Sequence, residues 1–352
     1  MRAHLLLATA CISFTALACS SSASGPMGSG GFDSGSGAAN GAGNGASTFV
    51  GAGGNNVTAS TGAGGLSATL IYGNDDTTLV QLDPTSPDLT VTTIGDFDCI
   101  DPNGSSDYAM TDIAVNARGE LWGVTGHTVH SLTIMGSTVH CGPSISLSNS
   151  DARFYALTFA PAGVLDPTQE VLVAGNTNGE LWKIDGASGA LEQHGVFGAV
   201  PHDDGHGYVY ANAGQAWELS GDLVFLAHDG DPVGFATVRD CPSPPDTTGC
   251  NDVNTLIEID MTAIGAPGAQ MVTKAIQGAI VKGATCSDPT DRFGNMYGIA
   301  AWNDKVFGFS RDGLLVDIDI NDGSACLVKS YPSLPFAGAG VTTLAPVSVN
   351  PH

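Results

Sequence analysis

Two short segments of this 352-residue chain crowd metal-ligating side chains together. In Pro201-His202-Asp203-Asp204-Gly205-His206-Gly207, two imidazoles and two carboxylates could hold a divalent cation such as calcium. His228-Asp229-Gly230-Asp231-Pro232 is a second, smaller cluster, with Asp229 and Asp231 as its candidate ligands. A solvated acidic loop and a plain turn are the simpler readings of these two stretches. Asp317-Ile318-Asp319-Ile320-Asn321-Asp322-Gly323 starts like a calcium-binding EF-hand loop. Its Gly comes one position late, however, and Val328 stands where the bidentate Glu belongs, so it reads as a strand end and its turn. No Gly-x-Ser-x-Gly elbow, phosphate-cradling Gly loop or Cys-x-x-Cys pair is present, so no catalytic residue is assigned.

The composition narrows the partners. Acidic residues number 35 against 11 Lys and Arg, a formal charge of −24. So few cations exclude a nucleic-acid binder, and they argue against docking on anionic lipid through a basic patch. The apolar fraction of 42% is enough for a packed core.

The amino terminus reads as an export address. Arg2 precedes an apolar run from Leu5 to Leu17 and small residues ending at Ala18, too short a run to span a bilayer. Residues 1–18 are therefore assigned as a signal peptide. Ala16-Leu17-Ala18-Cys19-Ser20 resembles the bacterial lipobox, departing from it in carrying Ala16 where Leu is usual. That resemblance implies cleavage before Cys19, diacylation of that residue (palmitate-type acyl chains) and, because Ser20 replaces the retaining Asp, an outer-membrane or cell-surface destination. Loss of Arg2 takes the charge from −24 to −25. Residues 20–65 hold 15 Gly among 46 positions with no apolar period, so 19–65 reads as a lipidated Cys on a disordered Gly/Ser-rich tether.

From residue 66 to 350 the chain repeats. Leu79-Val80-Gln81-Leu82-Asp83 recurs as Leu181–Asp185, Leu256–Asp260 and Leu315–Asp319, with a weaker copy at Val129–Thr133. Each is an alternating, half-buried strand, and the trailing Asp is suited to bond its own downstream backbone in a turn. Two strand-like runs precede each copy and one follows, which is the four-stranded blade of a β-propeller. The spacing predicts an all-β propeller of about five blades. Six is the alternative if the 75-residue step from Leu181 to Leu256 conceals another, though the insertion at Cys241–Cys250 accounts for that excess. The run Gly340–Ala345 resembles the first strand of other units, which the first unit lacks. It is expected to complete the N-terminal blade and close the ring.

Six cysteines follow Cys19, and six allow 15 pairings. Cys99-Ile100-Asp101-Pro102 and Cys286-Ser287-Asp288-Pro289 each lead into a blade, with Cys141 and Cys326 in equivalent last strands. This duplication predicts the disulfides 99–141 and 286–326, leaving Cys241–Cys250; a metal site is the competing use, without zinc spacing.

With its lipobox-like Cys19, its tether and runs such as Ser220–Phe225 and Val233–Val238, the chain resembles exported β-propeller lipoproteins of Gram-negative, deltaproteobacterial-type bacteria. The resemblance implies anchoring through lipid and brings no active site. Calcium-dependent lactonases share the architecture, but their carboxylates find no counterparts here by position. Two functions are therefore weighed. One is a surface-anchored, non-catalytic propeller with a monomeric head that binds a protein, glycan or cation. The other is a metal-dependent hydrolase or lyase with its site at the axis. Convergence of Asp, Glu, His or Asn side chains from three or more blades on the axis would discriminate them.

Overall fold

The computed structural model describes residues 69–103, 108–147, 152–228, 231–242, 248–288, 290–303 and 305–346. The leader, Cys19, the tether and Asp229 lie outside these residues. Strands β1 (Ile71–Asn74), β2 (Thr78–Leu82) and β3 (Val91–Phe97) open the fold. They are followed by β4 (Asp112–Val115), β5 (Leu121–Val124), β6 (Thr128–Met135) and β7 (Thr138–Cys141), with β8 (Ile145–Ser146) beside β6. The next meander is β9 (Phe154–Ala160), β10 (Val171–Asn176), β11 (Glu180–Ile184) and β12 (Leu191–Val196). Then come β13 (Trp217–His228), β14 (Asp231–Asp240), β15 (Thr255–Ile259) and β16 (Thr273–Ala279). The last set is β17 (Met296–Trp302), β18 (Lys305–Ser310), β19 (Leu314–Ile318) and β20 (Ala325–Ser330), before a short β21 (Gly338–Gly340).

The strand order is that of a propeller. Strands β9–β12, β13–β16 and β17–β20 are antiparallel four-stranded sheets. A fourth sheet runs β21-β1-β2-β3-β7-β6-β5-β4, where a short parallel pairing of β3 with β7 joins two further meanders. The edge strands β21, β4, β9, β13 and β17 contact one another in turn and close a ring around an axis. Apolar residues fill the seams between sheets. Val224, Leu226 and Phe235 of the β13–β14 hairpin, for example, pack in one cluster with Ile299, Phe307 and Phe309.

Closure occurs through β21, antiparallel to β1 with Tyr72 opposite Gly340 and Asn74 opposite Gly338. The pairing strand starts two residues before the run that the sequence pointed to. A Cβ at Gly338 would collide with Asp112 Oδ1, so only Gly passes there. The long unit between Leu181 and Leu256 contains no second sheet among the described residues. Its excess lies in the extended β13–β14 hairpin, the segment 197–216 and the connection 241–254.

The trailing Asp of each repeat acts as expected. Oδ1 of Asp83, Asp185, Asp260 and Asp319 accepts the backbone N–H two residues on, at 2.9, 3.0, 2.9 and 2.8 Å. Asp319 is thereby a turn residue, and the EF-hand likeness of that segment has no structural counterpart. The identical Gly-Glu-Leu-Trp strings at 119–122 and 179–182 lie on different strands, β5 and β11. What they share is the preceding turn. Asn116 and Asn176 each accept two downstream N–H groups while Gly119 and Gly179 take positive φ. Disulfides join Cys99 to Cys141, Cys241 to Cys250 and Cys286 to Cys326.

Candidate functional site at the mouth of the axis

The ring of edge strands converges on two acids. Asp112 on β4 and Asp222 on β13 are both fully buried. Asp112 Oδ2 accepts the N–H of Leu157 on β9 at 2.6 Å. Asp222 accepts from Leu223 at 2.6 Å and from Ile299 on β17 at 2.7 Å, and the N–H of Ala339 on β21 also bonds to it. One carboxyl pair thus ties all five innermost strands.

Burial holds both acids above the ordinary carboxylate range, and the charge of Asp222 raises Asp112 further. Among the described residues, Asp112 Oδ1 meets no N–H or hydroxyl donor; its neighbour is the other carboxyl group. A proton held between the two would satisfy that oxygen and remove the repulsion of like charges. The oxygens otherwise face backbone N–H groups, which suit a carboxylate and disfavour a cation.

Directly above this pair lies a cup of about 160 Å³, lined by Asp76, Tyr108, Arg153, Tyr155, Tyr297 and Arg311, with Thr111 beside the acids. Tyr155 and Tyr297 stand two residues before Leu157 and Ile299, on the same strands, so they occupy the next layer towards the strand starts. Their rings meet edge-on with centroids 6.3 Å apart. Arg153 lies over both Tyr108 and Tyr155, at 5.3 and 5.2 Å from the ring centroids. Arg311 is forked onto Asp76 at 2.7 and 2.6 Å. Burial raises the Tyr155 hydroxyl above its ordinary pKa, so it remains a phenol at neutral pH.

The clusters singled out from the sequence are elsewhere. His202 and Asp203 form an exposed pair at 3.0 Å, and Asp203 also accepts the N–H of Gly205. Asp204 turns inward instead. Its Oδ1 accepts from His206 and Tyr208 at 2.8 and 2.9 Å, and its Oδ2 from Ala279 at 3.1 Å, fastening the loop to β16. Asp204 and His206 border a second cavity of about 320 Å³ that also touches Lys282 and Asp322. Asp231 is exposed at the tip of the β13–β14 hairpin, paired with His228 in register. Asp203 and Asp204 thus point to different tasks although they are adjacent.

Neither the axial acids nor the cup was singled out from the sequence. One signal was present: Tyr155-Ala156-Leu157 and Tyr297-Gly298-Ile299 repeat an aromatic, a small and a branched residue at the start of equivalent strands.

No protein-family model matches the chain, and no curated protein matches it. Among solved structures it is similar to a protein of unknown function from Bacteroides caccae, at 10% identity over 77% of this chain and 97% of that one, with a TM-score of 0.40. It is also similar to the Dos1 propeller, at 10% identity over 77% and 69% of the two chains and a TM-score of 0.35. A third likeness is to BBS1N, solved in complex with ARL6DN, at 9% identity and a TM-score of 0.32. That match covers 69% of this chain and 55% of BBS1N, just over half its length. Such distant likenesses carry no function. The chain is a β-propeller on its own strand order.

Proposed function

We propose that the chain is an exported, lipid-anchored, non-catalytic binding protein whose five-bladed head takes its ligand in the cup at the mouth of the axis. The observation that carries this reading is the cup itself. Side chains from several units meet over a plugged axis, offering aromatic rings, phenol hydroxyls and guanidinium groups. Such side chains recognise a ligand through rigid contact area and directed hydrogen bonds. The one carboxylate among them, Asp76, is already engaged by Arg311. The axial acids are closed in by backbone N–H groups, an arrangement that supports a structural plug over a metal-assisted reaction centre.

Anchoring rests on Cys19 and the lipobox-like residues before it. Two acyl chains hold a protein on a membrane stably where one does not. Cys19→Ala is therefore expected to move the protein from the membrane to the soluble fraction. Sedimentation of that variant with the outer membrane after a high-salt wash would show that the anchor lies elsewhere.

Binding is tested by probing glycan and peptide arrays with the purified protein and with a Tyr155→Ala/Tyr297→Ala variant. Both rings are half-buried at the rim, so the variant should melt within a few degrees of the parent. It is expected to lose the parent's array signals by tenfold or more. Signals that are indifferent to the double change, or absent from both proteins, would remove the cup from the reading.

A further inference from the structure

We infer that the cup takes an acidic sugar, with the carboxylate of a uronic-acid-type ring on Arg153 and the ring itself against the tyrosines. This inference rests on the cup being the ligand site. Arg153 carries the first half of it. Acids outnumber bases by 35 to 11 in this chain, yet the Arg153 guanidinium has no carboxylate partner among the described residues. Among the described residues it lies over the faces of Tyr108 and Tyr155. Arg311, by contrast, has its fork filled by Asp76. A planar fork left open and oriented by two rings matches an incoming carboxylate in two-point geometry.

The tyrosines carry the second half. Among the described residues, the hydroxyls of Tyr108, Tyr155 and Tyr297 make no hydrogen bond to the protein, although Tyr155 and Tyr297 are half-buried. A phenol both donates and accepts, which is also the property of a sugar hydroxyl. An acidic peptide would reach Arg153 on a narrow aliphatic stem and leave these phenols unmet. Size agrees with a single ring. About 160 Å³ is below the ~300 Å³ at which drug-sized pockets begin. The strong net negative charge of the protein disfavours long polyanions, so a chain end or a short acidic glycan is the expected form.

The test is calorimetric titration of the full-length protein with trisaccharides of galacturonate, glucuronate and mannuronate, with neutral galactose and glucose trisaccharides, and with triglutamate. At least one uronate should bind tenfold or more tightly than its neutral counterpart. Arg153→Gln should remove that preference, lowering uronate affinity tenfold or more and neutral-sugar affinity by a smaller factor. Tyr155→Phe and Tyr297→Phe should weaken acidic and neutral sugars alike. Equal affinity for neutral and acidic sugars, unaltered in Arg153→Gln, would overturn the carboxylate assignment while the cup remains a binding site. Triglutamate binding in place of any sugar would overturn the sugar assignment. Array signals that depend on the cup, together with no binding of any uronate, would overturn the inference and leave the broader reading intact.

Discussion

The Asp222→Ala protein should be less stable than the parent by about 3–9 kcal/mol, because the change leaves three buried N–H groups without an acceptor at ~1–3 kcal/mol each. Those groups belong to Leu223, Ile299 and Ala339, so the loss falls where β13, β17 and β21 close the ring. Asp112→Asn should behave differently. Its amide oxygen can still accept from Leu157, and its NH2 can donate to Asp222 as the shared proton does.

The pair also sets a pH dependence. Unfolded carboxyl groups release their protons near pH 4, whereas Asp222 is pushed up to about 8 in the fold and Asp112 is raised as well. Between these limits the folded chain binds more protons than the unfolded chain. Stability therefore falls as pH rises from about 4 towards 8, by up to ~1.4 kcal/mol per pH unit for each proton held. Surface turn acids such as Asp83, Asp98 and Asp185 have lowered pKa values, so their contributions are lost only as pH falls below about 4 and stay outside this window. Denaturant unfolding at pH 5, 6.5 and 8 checks this. The parent should lose stability along that series, and Asp112→Asn should show a flatter curve. Parallel curves for the two proteins would mean that no proton is held between the acids.

These acids show where reading a sequence stops. The strands, the turn aspartates, the closing strand and the cysteine partners are all set by local pattern, or by repetition of one pattern along the chain. Leu181 and Ile184 are each buried, in two different seams, and Asp185 accepts the N–H groups of its own turn. Asp112 and Asp222 are separated by 110 positions and share no motif. Each sits in a run that reads as an ordinary first strand, and only ring closure brings them together. The cup residues are likewise scattered from Asp76 to Arg311. Local density in the segment 202–206, conversely, does not place its side chains on one task. Successive side chains diverge in a turn, and the backbone N–H groups of His206, Tyr208 and Ala279 occupy Asp204.

The repeated Cys-x-Asp-Pro motif illustrates both outcomes, and it leads to the remaining large effect. Its cysteines do pair as the repeat implies, but its aspartates are not equivalent. Asp288 accepts the N–H of Leu327, next to Cys326, at 2.9 Å. In the other copy Asp101 accepts from Asn103, and Asp98 serves in its place, accepting the N–H of Cys141 at 2.8 Å beside His140. Each bridge therefore fastens a last strand to the segment leading into its own blade, backed by one carboxylate. The bridges close loops of 42 and 40 residues, whereas Cys241–Cys250 closes one of 9. Replacing both cysteines by Ser at 99/141 or at 286/326 should cost about 4 kcal/mol, and at 241/250 about 2.5 kcal/mol, by loop-closure entropy in the unfolded chain. The 241/250 change should be milder still in practice. Glu218 beside that bridge keeps its partner Arg239 at 3.0 Å, and a Ser at 241 can donate to the same carboxylate. Non-reducing peptide mapping followed by denaturant unfolding of the three double variants is the measurement. The expected order of stability is 241/250 above the other two. A 241/250 variant as unstable as either of the others would mean that the bridge secures the β14–β15 connection as part of the blade. An exchange product such as 141–286 would mean that the two copies of the motif do not do the same job.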